Sequence, residues 1–135
     1  MNTKEKLKVV YTSYSKRNFY AREMISAYVL DNDYLPLNPF TNWNYYMSDM
    51  VDREKVTRAN NNLIYLSQEL WMFGEISDGC LLELELAMSK NIKIRFFTVG
   101  KTIKDIYQID MNDIKFEDDV VIGNFLDKLQ KYKFL

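Results

Sequence analysis

The chain has 135 residues, 47% of them hydrophobic and 15% aromatic, which suffices for one domain, spanning 1–135, with a core of its own. Its 18 basic and 19 acidic residues leave a formal charge of −1, without the basic excess that marks a nucleic-acid binder. The single cysteine, Cys80, excludes an internal disulfide, and the lack of histidine removes the usual zinc-ligand sets, so no metal or cofactor is expected.

A reducing cytoplasm fits this cysteine usage. Residues 1–8 are polar and charged, without the apolar stretch of a signal peptide, and no apolar run reaches about 18 residues. Neither export nor membrane insertion is expected.

Residues 7–11, β-branched and aromatic after a charged lead, predict a first and inner strand. The following residues, 12–18, predict a loop dense in hydroxyl and cationic donors: Thr12, Ser13, Tyr14, Ser15, Lys16, Arg17 and Asn18. Such a loop at the carboxyl end of a strand suits phosphate or sugar, and equally suits a plain helix cap through Asn18. Residues 19–30 form the first helix, with Ala21, Met24, Ile25 and Tyr28 at helical spacing. A short second strand at 34–37 carries Pro36, which points to a sheet edge or a strand start. Then comes an aromatic, amide-rich loop, 38–46, headed by Asn38. Its rings could stack on a nucleobase while its amides read the base edge, or the loop could pack on its own domain.

Ser48 or Asp49 caps a helix expected to run to about Leu66, with Val56, Ala59, Leu63 and Leu66 inward. Asp49 and Asp52 sit near its start, where carboxylates complement the dipole. One of Asn60, Asn61 and Asn62 is expected to face the crevice or bond the loop. Residues 70–73 are four consecutive apolar residues followed by Gly74, a polar turn, Gly79 and a run of strong helix formers. This reads as buried strand, tight loop and helix, and it sets a helix N-terminus at a strand's carboxyl end. Unpaired amides and the positive end of the helix dipole then face the crevice where open α/β sheets bind ligands. Ser77 or Asp78 caps the helix, and Gly79 lets a ligand approach the backbone. Residues 91–99 alternate as a further strand, 104–109 suggest a short last one, 113–119 an acidic turn, and 120–132 a covering helix with Val121, Phe125 and Leu129 inward. With helices between consecutive strands, the order predicts an α/β domain with a parallel sheet flanked by helices on both faces.

At roughly 100° per residue, Glu83 and Glu85 point about 160° apart on the motif helix and cannot share one site. Apolar neighbours flank both, so periodicity does not choose between them.

The spacing Gly74-x-x-Ser77-x-Gly79-Cys80-x-x-Glu83-x-x-x-Ala87, between two strands, resembles the signature of the nucleoside 2-deoxyribosyltransferase-like superfamily. Small members of that superfamily show Ser-x-Gly-Ala-x-x-Glu-x-x-x-Ala after a Trp- or Gly-led loop. The likeness spans residues 7 to 99, with Tyr11, the loop behind it and the 38–40 loop where the family's nucleoside pocket lies. It implies a Rossmann-like, flavodoxin-like fold, a nucleoside or nucleotide as small-molecule partner, and helix-packed homo-oligomers. It also implies Glu83 as a nucleophile on the anomeric carbon. The characterised transferases carry their aspartate one residue further back than Asp78, which leaves Asp78 or Asp49 as candidate acid. Tyr11, Ser13, Asn38, Ser77 and Gly79 are the candidate ligand-binding residues. The function expected is N-glycosidic-bond hydrolysis or (deoxy)ribosyl transfer. The alternatives are a non-catalytic nucleotide-binding module in the same crevice and a structural protein whose motif is core packing.

Overall fold

The computed structural model describes residues 5–43 and 47–135. Part of the expected aromatic loop, Asn44, Tyr45 and Tyr46, lies outside the described residues, as do residues 1–4.

The sheet has five strands in the order β2-β1-β3-β4-β5. They are β1 (Val9–Tyr14), β2 (Leu35–Leu37), β3 (Glu69–Phe73), β4 (Lys93–Phe97) and β5 (Gln108–Ile109). The first four run parallel, and β5 pairs antiparallel with β4, so the sheet is mostly rather than wholly parallel. This is the flavodoxin-like order of doubly wound folds, with β1 and β3 inside. Leu35–Leu37 forms an edge, where the missing N–H of Pro36 leaves no gap in an interior ladder.

The first strand is longer than its apolar run. Thr12, Ser13 and Tyr14, expected in a loop, continue β1 opposite Trp71, Met72 and Phe73. Thr and Tyr suit strands, and the buried hydroxyls of Thr12 and Ser13 have partners: Thr12 donates to the Leu37 carbonyl at 3.3 Å, and Ser13 donates to Glu83. A 3-10 segment, Lys16–Ala21, precedes α1 (Arg22–Asp31), so the regular helix starts later than the spacing suggested. Its Asn18 leaves helical dihedrals (φ −101°, ψ 15°). Ala21, Ile25 and Val29, four apart, form the buried stripe.

Asn38 caps the short α2 (Pro39–Asn42), with Pro39 at the first helical position. The single helix expected from 48 to 66 is two: α3 (Met47–Met50) and α4 (Arg53–Tyr65), separated at Val51 and Asp52. In α4 the fully buried residue is Ile64, and Leu66 is exposed as the C-cap. The α5 helix (Asp78–Ser89) follows β3, and Cys80, Leu81, Leu84 and Ala87 turn inward. At the end of the chain only Phe125–Lys131 is helical (α6): Gly123 adopts φ +56°, and Val121, expected inward, is 81% exposed.

Two apolar clusters cover the two sheet faces. One joins Val10, Tyr14, Trp71, Phe73 and Phe97 to α1; the other joins Tyr11, Leu70, Met72, Ile94 and Phe96 to α4, α5 and α6. The strand period of two therefore sends Val10, Thr12 and Tyr14 to one side and Tyr11 and Ser13 to the other.

Candidate active site

From β1 the chain turns one way, through α1 to β2, and then returns past β1 to build β3 on its other side. The carboxyl ends of β1 and β3 thus flank the point where the strand order reverses, the place ligands occupy in such sheets. Ser77 caps the helix that begins there, its Oγ accepting from the Cys80 amide at 3.2 Å. This settles the cap between Ser77 and Asp78. The amides of Asp78 and Gly79, at the start of α5, have no partner among the described residues and remain as donors. A Cβ added to Gly79 would meet only the Ser77 Oγ, 4.0 Å away, so nothing inside the protein requires a glycine there.

Glu83, one turn further, is partly buried and faces the sheet. Tyr11 donates its phenol hydrogen to Glu83 Oε2, and Ser13 donates to Oε1 at 2.7 Å. Two alternate residues of β1 therefore grip both oxygens of one carboxylate on α5. Each oxygen keeps a second lone pair. Burial pushes the Glu83 carboxyl upward, and the two donated hydrogen bonds act against that shift by favouring the anion. Tyr11 is raised well above its ordinary value, first by burial and then by the adjacent carboxylate, so it stays a protonated donor. The Cys80 thiol, buried one turn before Glu83, is pushed up to about 11 by burial and by the same carboxylate.

Glu85 faces elsewhere: it pairs with Lys128 of α6 at 3.4 Å. The ambiguity between the two glutamates is thus decided by what lies across from each. Tyr11 and Ser13, expected to hold sugar or phosphate, have their hydroxyls on Glu83 instead. Asn38 is saturated: its Oδ1 accepts from Tyr14 at 2.7 Å and from the Phe40 amide at 3.2 Å, and its Nδ2 donates to the Arg22 carbonyl and the Ser26 hydroxyl. It joins β1, α1 and α2 and has no hydrogen-bonding capacity left for a ligand. Phe40 packs in tilted and edge-to-face contact against Tyr14 and Phe19, at 5.1 and 5.5 Å between centroids, and Trp43 donates to Asn60 at 3.1 Å. The described part of that loop is therefore tied to its own domain, with Asn60 as the bonding asparagine. Asp78 is exposed and makes no hydrogen bond to the Glu83 cluster, and Asp49 is exposed on α3.

A cavity of about 710 Å³ opens at the same end of the sheet, bounded by the turns after β1, β3 and β4 and by residues 107–117; Glu83 is not in its lining. Sequence reasoning missed this cavity, because one wall comes from a segment without a recognisable motif. It also missed Cys80 as a neighbour of the carboxylate, although the spacing of three on one helix was readable. Among the described residues no group of three or more acidic or cysteine side chains could hold a metal ion, and no helix is long and apolar enough to cross a membrane.

A solved structure of a 2-deoxyribosyltransferase from the psychrotolerant bacterium Bacillus psychrosaccharolyticus is similar over 93% of each chain, with a TM-score of 0.55 and 14% identity. At that identity the likeness concerns the fold. No curated protein matches the chain. A family described as a domain of unknown function, DUF7768, matches residues 9–97, which run from the first residue of β1 to the last of β4 and include the whole Tyr11, Ser13 and Glu83 cluster. The chain belongs to the DUF7768 family.

Proposed function

We propose that the protein cleaves or exchanges the N-glycosidic bond of a nucleoside or nucleotide, with Glu83 as nucleophile. The observation that carries this reading is the single carboxylate held by Tyr11 and Ser13 beside a helix N-terminus at the switch point of the sheet. The likeness in fold to a 2-deoxyribosyltransferase supports it. A free lone pair of Glu83 attacks the anomeric carbon as the carbon–nitrogen bond breaks, and the bonding pair leaves with the base, which takes a proton. Water or a second base then displaces the sugar from the carboxylate. Two steps through oxocarbenium-like states replace one harder displacement. Asp78 is the candidate proton donor, and the free amides of Asp78 and Gly79 are candidate contacts to sugar or phosphate.

The test is chromatographic detection of free base from nucleosides and their monophosphates. Wild type releases base, Glu83→Gln loses the activity by orders of magnitude while still binding ligand, and Glu85→Gln is nearly unchanged. Full activity in Glu83→Gln would remove the nucleophile assignment. One observation favours a second reading, a non-catalytic nucleotide-binding module: no second carboxylate bonds to the cluster among the described residues. Tight binding with no base released from any ligand would establish that reading.

A further inference from the structure

The cavity beside the motif loop has a lining unlike that of a phosphate site. Three carboxylates (Glu75, Asp113 and Glu117) face two cations (Arg17 and Lys115), and one cation is already paired, Arg17 with Glu117 at 3.7 Å. A phosphate here would meet more negative than positive charge. The rest of the lining is uncharged: apolar and aromatic side chains, two amides and the Thr98 hydroxyl, which is already bonded to the Asp105 carbonyl at 2.6 Å. Phe97 and Val99 lie at the exit of β4, Tyr107 exposes its ring, and Asn18 and Asn112 each contribute a carboxamide. Neither carboxamide makes a side-chain hydrogen bond to any described residue, in contrast to the saturated Asn38.

The Asn18 amide is also confined. A Cβ placed on Gly74 would come within 2.6 Å of Asn18 Nδ2, so this amide lies directly over a glycine whose φ is +79°. A partly buried amide without a hydrogen-bond partner among the described residues, set over a glycine with apolar side chains about it, suits a flat uncharged ring bearing donors and acceptors along its edge. The cavity volume, about 710 Å³, leaves ample room for such a ring.

We infer that this cavity is a nucleobase-binding compartment, in which Asn18 and Asn112 read the base edge and Phe97, Val99 and Tyr107 supply apolar and aromatic contact. The inference builds on the glycosidic reading above. The loop from Gly74 to Ser77 joins the two places: Gly74 and Glu75 line the cavity, and Ser77 caps the helix that carries Glu83. Residues 107–117 form the far wall, so base preference resides in a part of the chain beyond the motif. That wall is anchored on the same loop, since the Ile76 amide donates to the Lys115 carbonyl at 2.9 Å and the Glu117 amide donates to the Ile76 carbonyl at 3.0 Å.

Calorimetric titration of the full chain carrying Glu83→Gln, which cannot turn over, tests the compartment directly. Adenine, hypoxanthine, cytosine and thymine are the probes, and ribose and inorganic phosphate are the controls. At least one free base binds more tightly than either control. Adding Asn18→Ala or Asn112→Ala weakens that base by about tenfold, as expected for removal of a recognition hydrogen bond, and Thr57→Ala on α4 leaves it unchanged. Asn112 is exposed, so its variant keeps the comparison interpretable even if Asn18→Ala folds poorly. Absence of binding by all four bases, or base affinity indifferent to both asparagine variants, overturns the compartment. Base release by the otherwise wild-type enzyme with KM unaffected by either variant overturns it while leaving the glycosidic reading intact. Base binding lost in the variants, with no base released from any nucleoside, supports the compartment and removes the glycosidic reading.

Discussion

At the scale of residues, Glu83 couples function to pH. Its carboxyl holds a proton more tightly in the fold than in the unfolded chain, chiefly through burial. This contribution to stability is complete below the ordinary value of 4.5 and is lost as pH rises through the raised value. Glu83→Gln removes the dependence, so the variant should gain stability relative to wild type as pH rises above about 4.5. Denaturant midpoints measured on both proteins across that window check this, and a constant gap would contradict it. Base release should follow the opposite course, rising with pH as the nucleophile ionises. Tyr11→Phe removes a hydrogen bond that favours the anion, and should move the acid limb of the pH–rate profile to higher pH. The two glycines of the motif separate fold from ligand. Gly74→Ala forces a left-handed backbone on a residue with a Cβ and drives it into Asn18, and should cost more than about 1 kcal/mol. Gly79→Ala meets only the Ser77 Oγ, at 4.0 Å. It should leave stability unchanged or raise it by up to about 1 kcal/mol, while weakening any ligand bound against the helix amides. Thermal melts with and without nucleoside distinguish the two.

At the scale of elements, the site depends on joints more than on the helices and strands taken singly. Asn38 is such a joint: four hydrogen bonds from its amide tie the end of β2 to β1, α1 and the start of α2. Asn38→Ala removes a cap and leaves the buried Tyr14 hydroxyl without its partner, at a cost of about 2–3 kcal/mol. A lowered urea midpoint with an unaltered slope is the expected signature, and a midpoint equal to wild type would show that the joint is dispensable. At the opposite end of β3, Glu69 is nearly fully buried but accepts from Trp71 Nε1 at 2.9 Å and from Arg95 Nε at 2.8 Å. The pair locks the amino end of β3 to the middle of β4, and its hydrogen bonds offset part of the cost of burying the charge.

At the scale of the whole molecule, the last quarter of the chain completes a core that the motif region leaves open. Phe125 and Leu129 of α6 enter the cluster formed by Leu84, Ile92 and Ile94, and the Ile94 amide donates to the Phe134 carbonyl at 2.8 Å. Phe125→Ala should therefore destabilise the protein by about 3–5 kcal/mol, as for a large side chain removed from a packed core. Chemical denaturation gives the value, and a loss below about 1 kcal/mol would mean that α6 merely rests on the surface. Residues 107–117 add a different contribution, walling the cavity while pairing with the loop before α5.

What the sequence by itself determined is whatever local periodicity and chain order encode: the α/β class, the inner places of β1 and β3, the helix after Gly74, and its capping end. Those patterns operate over a few residues, through a strand period of two and a helix period of 3.6. The motif also singled out Glu83, but only by resemblance. The choice of Glu83 over Glu85 as the residue facing β1 was decided by tertiary structure, because the groups that select it lie 72 and 70 residues away, at Tyr11 and Ser13. The extension of β1 through Thr12 and Ser13 was hidden for the same reason: those hydroxyls look solvent-bound until Leu37 and Glu83 arrive to accept from them. Only the fold could turn Asn38 from a candidate ligand contact into a structural joint, or bring Asn18 and Asn112 to one cavity. A polar side chain is committed by its nearest partner in space, and along the chain that partner is far away.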